Sequence, residues 1–161
     1  MRWDEFAEAC PELAALGEAR FRKHEVMLLG TLRKNGWPRI TPVEMDFVDG
    51  ELLVGMMWQS PKALDLLRDR RFVAHSVVTN RSGAEGDFKL YGRVRAIDDP
   101  DRRAAYGAAI KARTDWEPPE PNFHLFALDV DSAGFVIFGE ERYGLAWDPE
   151  RGLRRWTQQP E

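Results

Sequence analysis

Cysteine is nearly missing from this sequence: Cys10 is the single one in 161 residues. That count excludes an intramolecular disulfide and any CxxC or cysteine-rich metal centre, and a reducing, cytoplasmic setting is the expectation. Long apolar runs are missing too. No stretch approaches the ~20 residues that span a bilayer, and the opening "MRWDEFAEAC" has no apolar signal-peptide core, so no membrane partner is expected. An excess of positive charge is also absent. Lys and Arg number 23 against 27 Asp and Glu, a net charge of −4, which leaves no general electrostatic reason to seek nucleic acid. His24, His75 and His124 are too scattered for metal-ligand spacing, and there is no GxSxG, HExxH or P-loop. Repeats and low-complexity linkers are not found. What remains is an ordinary globular composition, 43% hydrophobic and 31% charged, long enough for one domain with a core of its own.

Turn signals and alternation read as a mainly β, α+β chain. "VMLLGTL" (26–32) is short and apolar, and Asn35-Gly36 after it is a tight-turn signal. "RITPVEMDFV" (39–48) alternates: Val43, Met45 and Phe47 face one way, Glu44 and Asp46 the other. Pro42 within it cannot donate a ladder hydrogen bond, which predicts an irregularity or a sheet edge there. Asp49-Gly50 turns the chain again, and "ELLVGMMW" (51–58) returns. Further strands are expected at 72–78, 87–97, 123–130 and 134–139, with weaker candidates at 143–147 and 153–156. Helices fit 11–23, 60–70 and 100–113, and "EPPEP" (117–121) is a stiff connector. Six to eight short strands with few helices predict a small antiparallel barrel, which leaves fewer edges to protect than an open sheet.

One helix start stands apart. Cys10-Pro11-Glu12, Asp99-Pro100-Asp101 and Ser60-Pro61-Lys62 each put proline at the first helical position, where its missing N–H costs nothing. The first two follow it with an acid, as the positive end of the helix dipole favours; the third follows it with a cation. Ser60 suits the N-cap position. An anion at the helix tip would turn an unfavourable charge into a favourable one, with free backbone N–H groups, the Ser60 hydroxyl and the Lys62 ammonium around it. The plain alternative is a lysine extended into screening solvent.

The ordered set "RITPV", a hairpin at Asp-Gly, and a strand running into "SPKALDLLRDRRF" resembles the pyridoxamine 5′-phosphate oxidase-like family of FMN-binding split β-barrels, over roughly residues 20 to 97. The resemblance implies a homodimer with cofactor sites at the subunit interface. It matches Ser60 and Lys62 to the family's phosphate-binding Ser-Arg-Lys, with Pro61 in place of the arginine, and Arg39 to a second phosphate contact. Thr41, Pro42 and Val43 match the segment along the flavin ring, and Met56, Met57 and Trp58 the stretch beside ring and ribityl chain. The resemblance also places Lys89 at the opening of the strand that in the family faces the partner's cofactor. Each has a bland reading as well: core packing for Met56, Met57 and Trp58, a hairpin charge for Arg39, a solvated strand residue for Lys89.

The tail "ERGLRRWTQQPE" lacks the tryptophan-then-arginine-histidine pattern of true pyridoxamine phosphate oxidases, so vitamin B6 oxidation is not expected. Related split barrels carry a deazaflavin instead of FMN, and the sequence leaves both open. The expectation is a flavin-dependent oxidoreductase acting on a small molecule, with Glu44 the strand carboxylate nearest the expected ring. A non-catalytic flavin-binding module and a cofactor-free structural dimer are the rivals.

Overall fold

The computed structural model describes residues 1–139 and 142–157. Its order is α1 (Trp3–Ala9), α2 (Pro11–His24), β1 (Val26–Leu32), β2 (Pro38–Glu44), β3 (Asp46–Val48), β4 (Glu51–Met57), α3 (Pro61–Arg68), β5 (Arg71–Ser76), β6 (Asp87–Ala96), α4 (Pro100–Thr114), β7 (Phe123–Ile137), β8 (Tyr143–Asp148) and β9 (Gly152–Thr157). All strand pairings are antiparallel, in the order β2-β1-β5-β6-β7-β4-β3, with β8 and β9 added outside β7.

The alternating run 39–48 divides at Met45. Residues before it pair with β1 and residues after it with β4. The sheet therefore does not close by hydrogen bonds; its two end strands are joined through the buried Met45 itself. Pro42 sits on the edge strand β2, opposite Leu28, where its missing N–H leaves no second neighbour unserved. Both residues of the Asp49-Gly50 turn have positive φ (49° and 77°), the geometry of a two-residue hairpin turn.

The segments 123–130 and 134–139, expected as two strands, form the single long β7. Its register against β6 slips between Tyr91 and Gly92, leaving Asp131 as an extra residue. Glycine is required at 92, because a Cβ there would meet the Asp129 carbonyl oxygen at 1.8 Å. The helix α1 was not expected. Its Trp3 and Phe6 join Leu13 and Phe21 of α2 inside the sheet's concave face, with Phe88 edge-on to Phe21 at 5.3 Å.

There are two cores. The large one fills the barrel and takes Leu52, Val54 and Met56 from β4. The smaller one lies on the opposite face of β4, where Tyr106 and Ile110 of α4 pack with Leu53, Phe123 and Leu125. With both faces covered, β4 reads as the continuous apolar run "ELLVGMM" rather than an alternating one.

Candidate functional site

The β4–α3 junction is a tight turn. The Met57 carbonyl accepts from the Ser60 N–H at 3.1 Å, and Gln59 between them lies in the left-handed region at φ 56°. Ser60 then occupies the N-cap with extended backbone, and its carbonyl accepts from the Leu64 N–H at 3.0 Å. The side chain departs from expectation. Its hydroxyl caps nothing: Ser60 is only 6% exposed, and its Oγ has no hydrogen-bond partner among the described residues. A buried hydroxyl left this way costs about 1–3 kcal/mol. Lys62 is half-buried beside it, in a first turn that holds no acidic residue. An orphaned hydroxyl, a cation and open helix N–H groups fit an anionic group such as a cofactor phosphate.

One face of α3 is fully satisfied. Asp65, 4% exposed, accepts from Arg39 Nε at 2.7 Å, Thr31 Oγ1 at 3.1 Å and Arg68 Nη2 at 3.2 Å. Burial alone would raise its pKa, but the hydrogen bonds from Arg39, Arg68 and Thr31 outweigh that and hold it below the usual carboxylate value. Arg39 lines a groove of about 650 Å³ with Arg33, Lys34 and Arg68, on the β1–β2 hairpin side of α3.

The cavity that meets Lys62 is another one, of about 660 Å³. Its walls are Pro42, Val43 and Glu44 from β2, Gly55, Met56, Met57 and Trp58 from the end of β4, and Tyr106 from α4. The connection between α4 and β7 adds Trp116, Pro118, Pro119 and Asn122. Trp58 stacks on His124 with ring centres 4.5 Å apart and planes within 10°. His124 Nε2 accepts from the Gln59 N–H at 3.2 Å, so the turn leading to Ser60 rests on that imidazole. Burial, helped by the charge of Arg103, pushes the His124 pKa down, which suits a nitrogen that must stay an acceptor. Glu44 shares Arg113, whose Nη2 is 3.6 Å away, with the nearer Asp46 and Glu25.

Of the residues singled out from the sequence, Pro42, Val43, Met56, Met57, Trp58 and Lys62 thus line one cavity, with Ser60 beside them. Thr41 lies on the inner face of β2 between Arg39 and Val43 and lines neither space. Lys89 lies apart. It pairs with Asp87 and faces a third hollow, of about 750 Å³, against the outer sides of β7, β8 and β9. Tyr106 and Trp116 carry no site signal in the sequence, and His124, which lacks metal-ligand spacing, acts here through its stacking on Trp58 and its bond from Gln59. The stiff "EPPEP" was the one visible signal, but nothing in it says which strand it covers. Among the described residues no group of His, Cys, Asp and Glu could hold a metal ion, and no helix is long and apolar enough to cross a membrane.

The family model described as pyridoxamine 5′-phosphate oxidase matches residues 15–137, well over half of the chain. The chain belongs to the pyridoxamine 5′-phosphate oxidase family. Three solved structures illustrate the shared fold. A general stress protein 26-related protein of Clostridium acetobutylicum superposes with a TM-score of 0.65 at 12% identity, over 86% of this chain and 97% of that one. A pyridoxamine 5′-phosphate oxidase-related, FMN-binding protein of Nostoc punctiforme gives 0.64 at 18% identity, over 91% and 96%. PhzG of Burkholderia lata, solved with tetrahydrophenazine-1-carboxylic acid, gives 0.61 at 14% identity, over 92% and 88%. At such identities the likeness concerns the fold. No curated protein matches the sequence.

Proposed function

We propose that this chain is a cytoplasmic, homodimeric FMN-dependent oxidoreductase acting on a small molecule. The observation that carries the reading is the buried, unpartnered Ser60 hydroxyl beside Lys62 at the start of α3. A phosphate there would satisfy the hydroxyl, neutralise the ammonium and accept from the open backbone N–H groups of the first turn. Pro61 supplies no donor, so the corner relies on backbone and Ser60 where the family pattern has an arginine. Arg39 would add a second contact only from the neighbouring groove it lines, through guanidinium N–H groups other than the Nε that Asp65 takes.

Pro42, Val43, Met56, Met57 and Trp58 form the slot for the ring, with Thr41 supporting it from the inner face of β2. Apolar walls with a few directed polar groups are what such a ring requires. Bound FMN supplies hydride transfer, and the protein's part is to hold the ring and exclude water. The FMN-binding Nostoc relative supports the same cofactor. A second copy is supported by apolar side chains left in the open: Ile40 on the outer face of β2 is 72% exposed and Met57 at the cavity mouth 73%. Lys89, facing away from the slot, would join a cofactor site only across such a dimer.

The visible spectrum of the purified protein tests this directly. Twin flavin bands are expected on the protein fraction once FMN has been added and the unbound excess removed by gel filtration; a single violet–blue band with bound deazaflavin would instead favour that cofactor. A protein that stays colourless with both overturns the reading. Lys62→Glu replaces attraction by repulsion and lowers FMN affinity about tenfold or more.

A further inference from the structure

Tyr106 is the one buried hydroxyl that α4 presents to the cavity. It is 3% exposed, and its ring is stacked near that of Phe123, with centres 6.1 Å apart. Its oxygen accepts from the Gly55 N–H at 2.9 Å. That amide needs an outside acceptor because β3 stops pairing with β4 at Leu53, leaving the strand edge open beyond it. Residue 55 is a glycine for the same reason: a Cβ there would sit 2.5 Å from the Tyr106 oxygen. The hydroxyl thus has its acceptor role filled, and no acceptor for its own proton lies within hydrogen-bond distance among the described residues. Burial pushes the Tyr106 pKa up to about 12, so the proton stays on the oxygen at neutral pH.

We propose that Tyr106 is a ligand-binding residue, donating its O–H to an uncharged acceptor on the ring of the bound flavin, a carbonyl oxygen or ring nitrogen. This rests on the flavin reading above. The chemistry selects a neutral acceptor, because the charge nearby is already negative: Glu25, Glu44 and Asp46 share the single cation Arg113, and a further anion would be repelled. Gly55 and Tyr106 then act together, the amide fixing the oxygen and the oxygen aiming the proton.

The test is a titration of wild type and Tyr106→Phe with FMN, with inorganic phosphate as a competitor that reads the α3 corner alone. Phenylalanine keeps the ring and removes only the hydroxyl. FMN affinity is expected to fall about five- to tenfold, with phosphate competition unchanged and the bound flavin's visible bands shifted. Equal FMN affinity and identical bands in the two proteins overturn the assignment while leaving the flavin reading intact. A wild type that takes up no FMN overturns both. If Tyr106→Phe does not fold, fluorine NMR of wild type labelled with 3-fluorotyrosine replaces it, with resonances assigned through Tyr91→Phe and Tyr143→Phe. FMN is then expected to shift the Tyr106 signal, and an unmoved signal overturns the proposal.

Discussion

On the two sides of α3, two polar clusters built on cations end differently. On one side Arg39 and Arg68 converge on the buried Asp65, and Thr31 completes its hydrogen bonds. On the other, Lys62 and the buried Ser60 hydroxyl receive nothing from the described residues. A buried carboxylate with three donors is how a fold satisfies its own charge. A buried hydroxyl without a partner beside a cation costs stability and is recovered only when something binds. Charge alone does not separate the two clusters; completeness does.

The largest effect should come from breaking the satisfied side. Asp65→Ala leaves Arg39 half-buried without its carboxylate, and urea denaturation should show a loss of about 3–5 kcal/mol. A similar loss for Ser60→Ala would erase the distinction. At the open side the balance should reverse. Ser60→Ala should leave the ligand-free protein as stable as wild type or slightly more so, while FMN binding weakens several-fold in a fluorescence titration. The smallest effect concerns the imidazole under the turn. His124 has a depressed pKa in the folded protein, so the unfolded chain binds the proton more readily. Its contribution to stability is therefore present above the ordinary imidazole value of about 6.5 and is lost as pH falls below it. Thermal melts between neutral and mildly acid pH should show that slope in wild type and a shallower one in His124→Phe.

Much of this was legible from local chemistry. Proline at the first position of α2, α3 and α4, and positive φ at Gly36, Asp49 and Gly50, are observed where the residue types require them. Other features left no local trace. The break at Met45 is invisible in the alternation, because Val43, Met45 and Phe47 keep the same phase whether the strand continues or changes partner. The fusion into β7 was hidden by Asp131-Ser132-Ala133-Gly134, which reads as a turn but is spanned by a bulge. Trp3, Phe6 and Cys10 share helical spacing, yet α1 has only 7 residues and its stability comes from the barrel it plugs. For the site, the β2 and β4 residues and Lys62 were readable because they are near in sequence. Tyr106 was not, since its partner Gly55 lies on another strand and the signal is a missing neighbour, not a motif.

A crystal structure of the protein soaked with FMN decides most directly which side of α3 takes the anion. The account predicts phosphate density on Ser60 Oγ and Lys62 Nζ, with Asp65 still bound to Arg39. Phosphate density held instead by Arg33, Lys34 and Arg68 in the neighbouring groove, with Ser60 still bare, would contradict it.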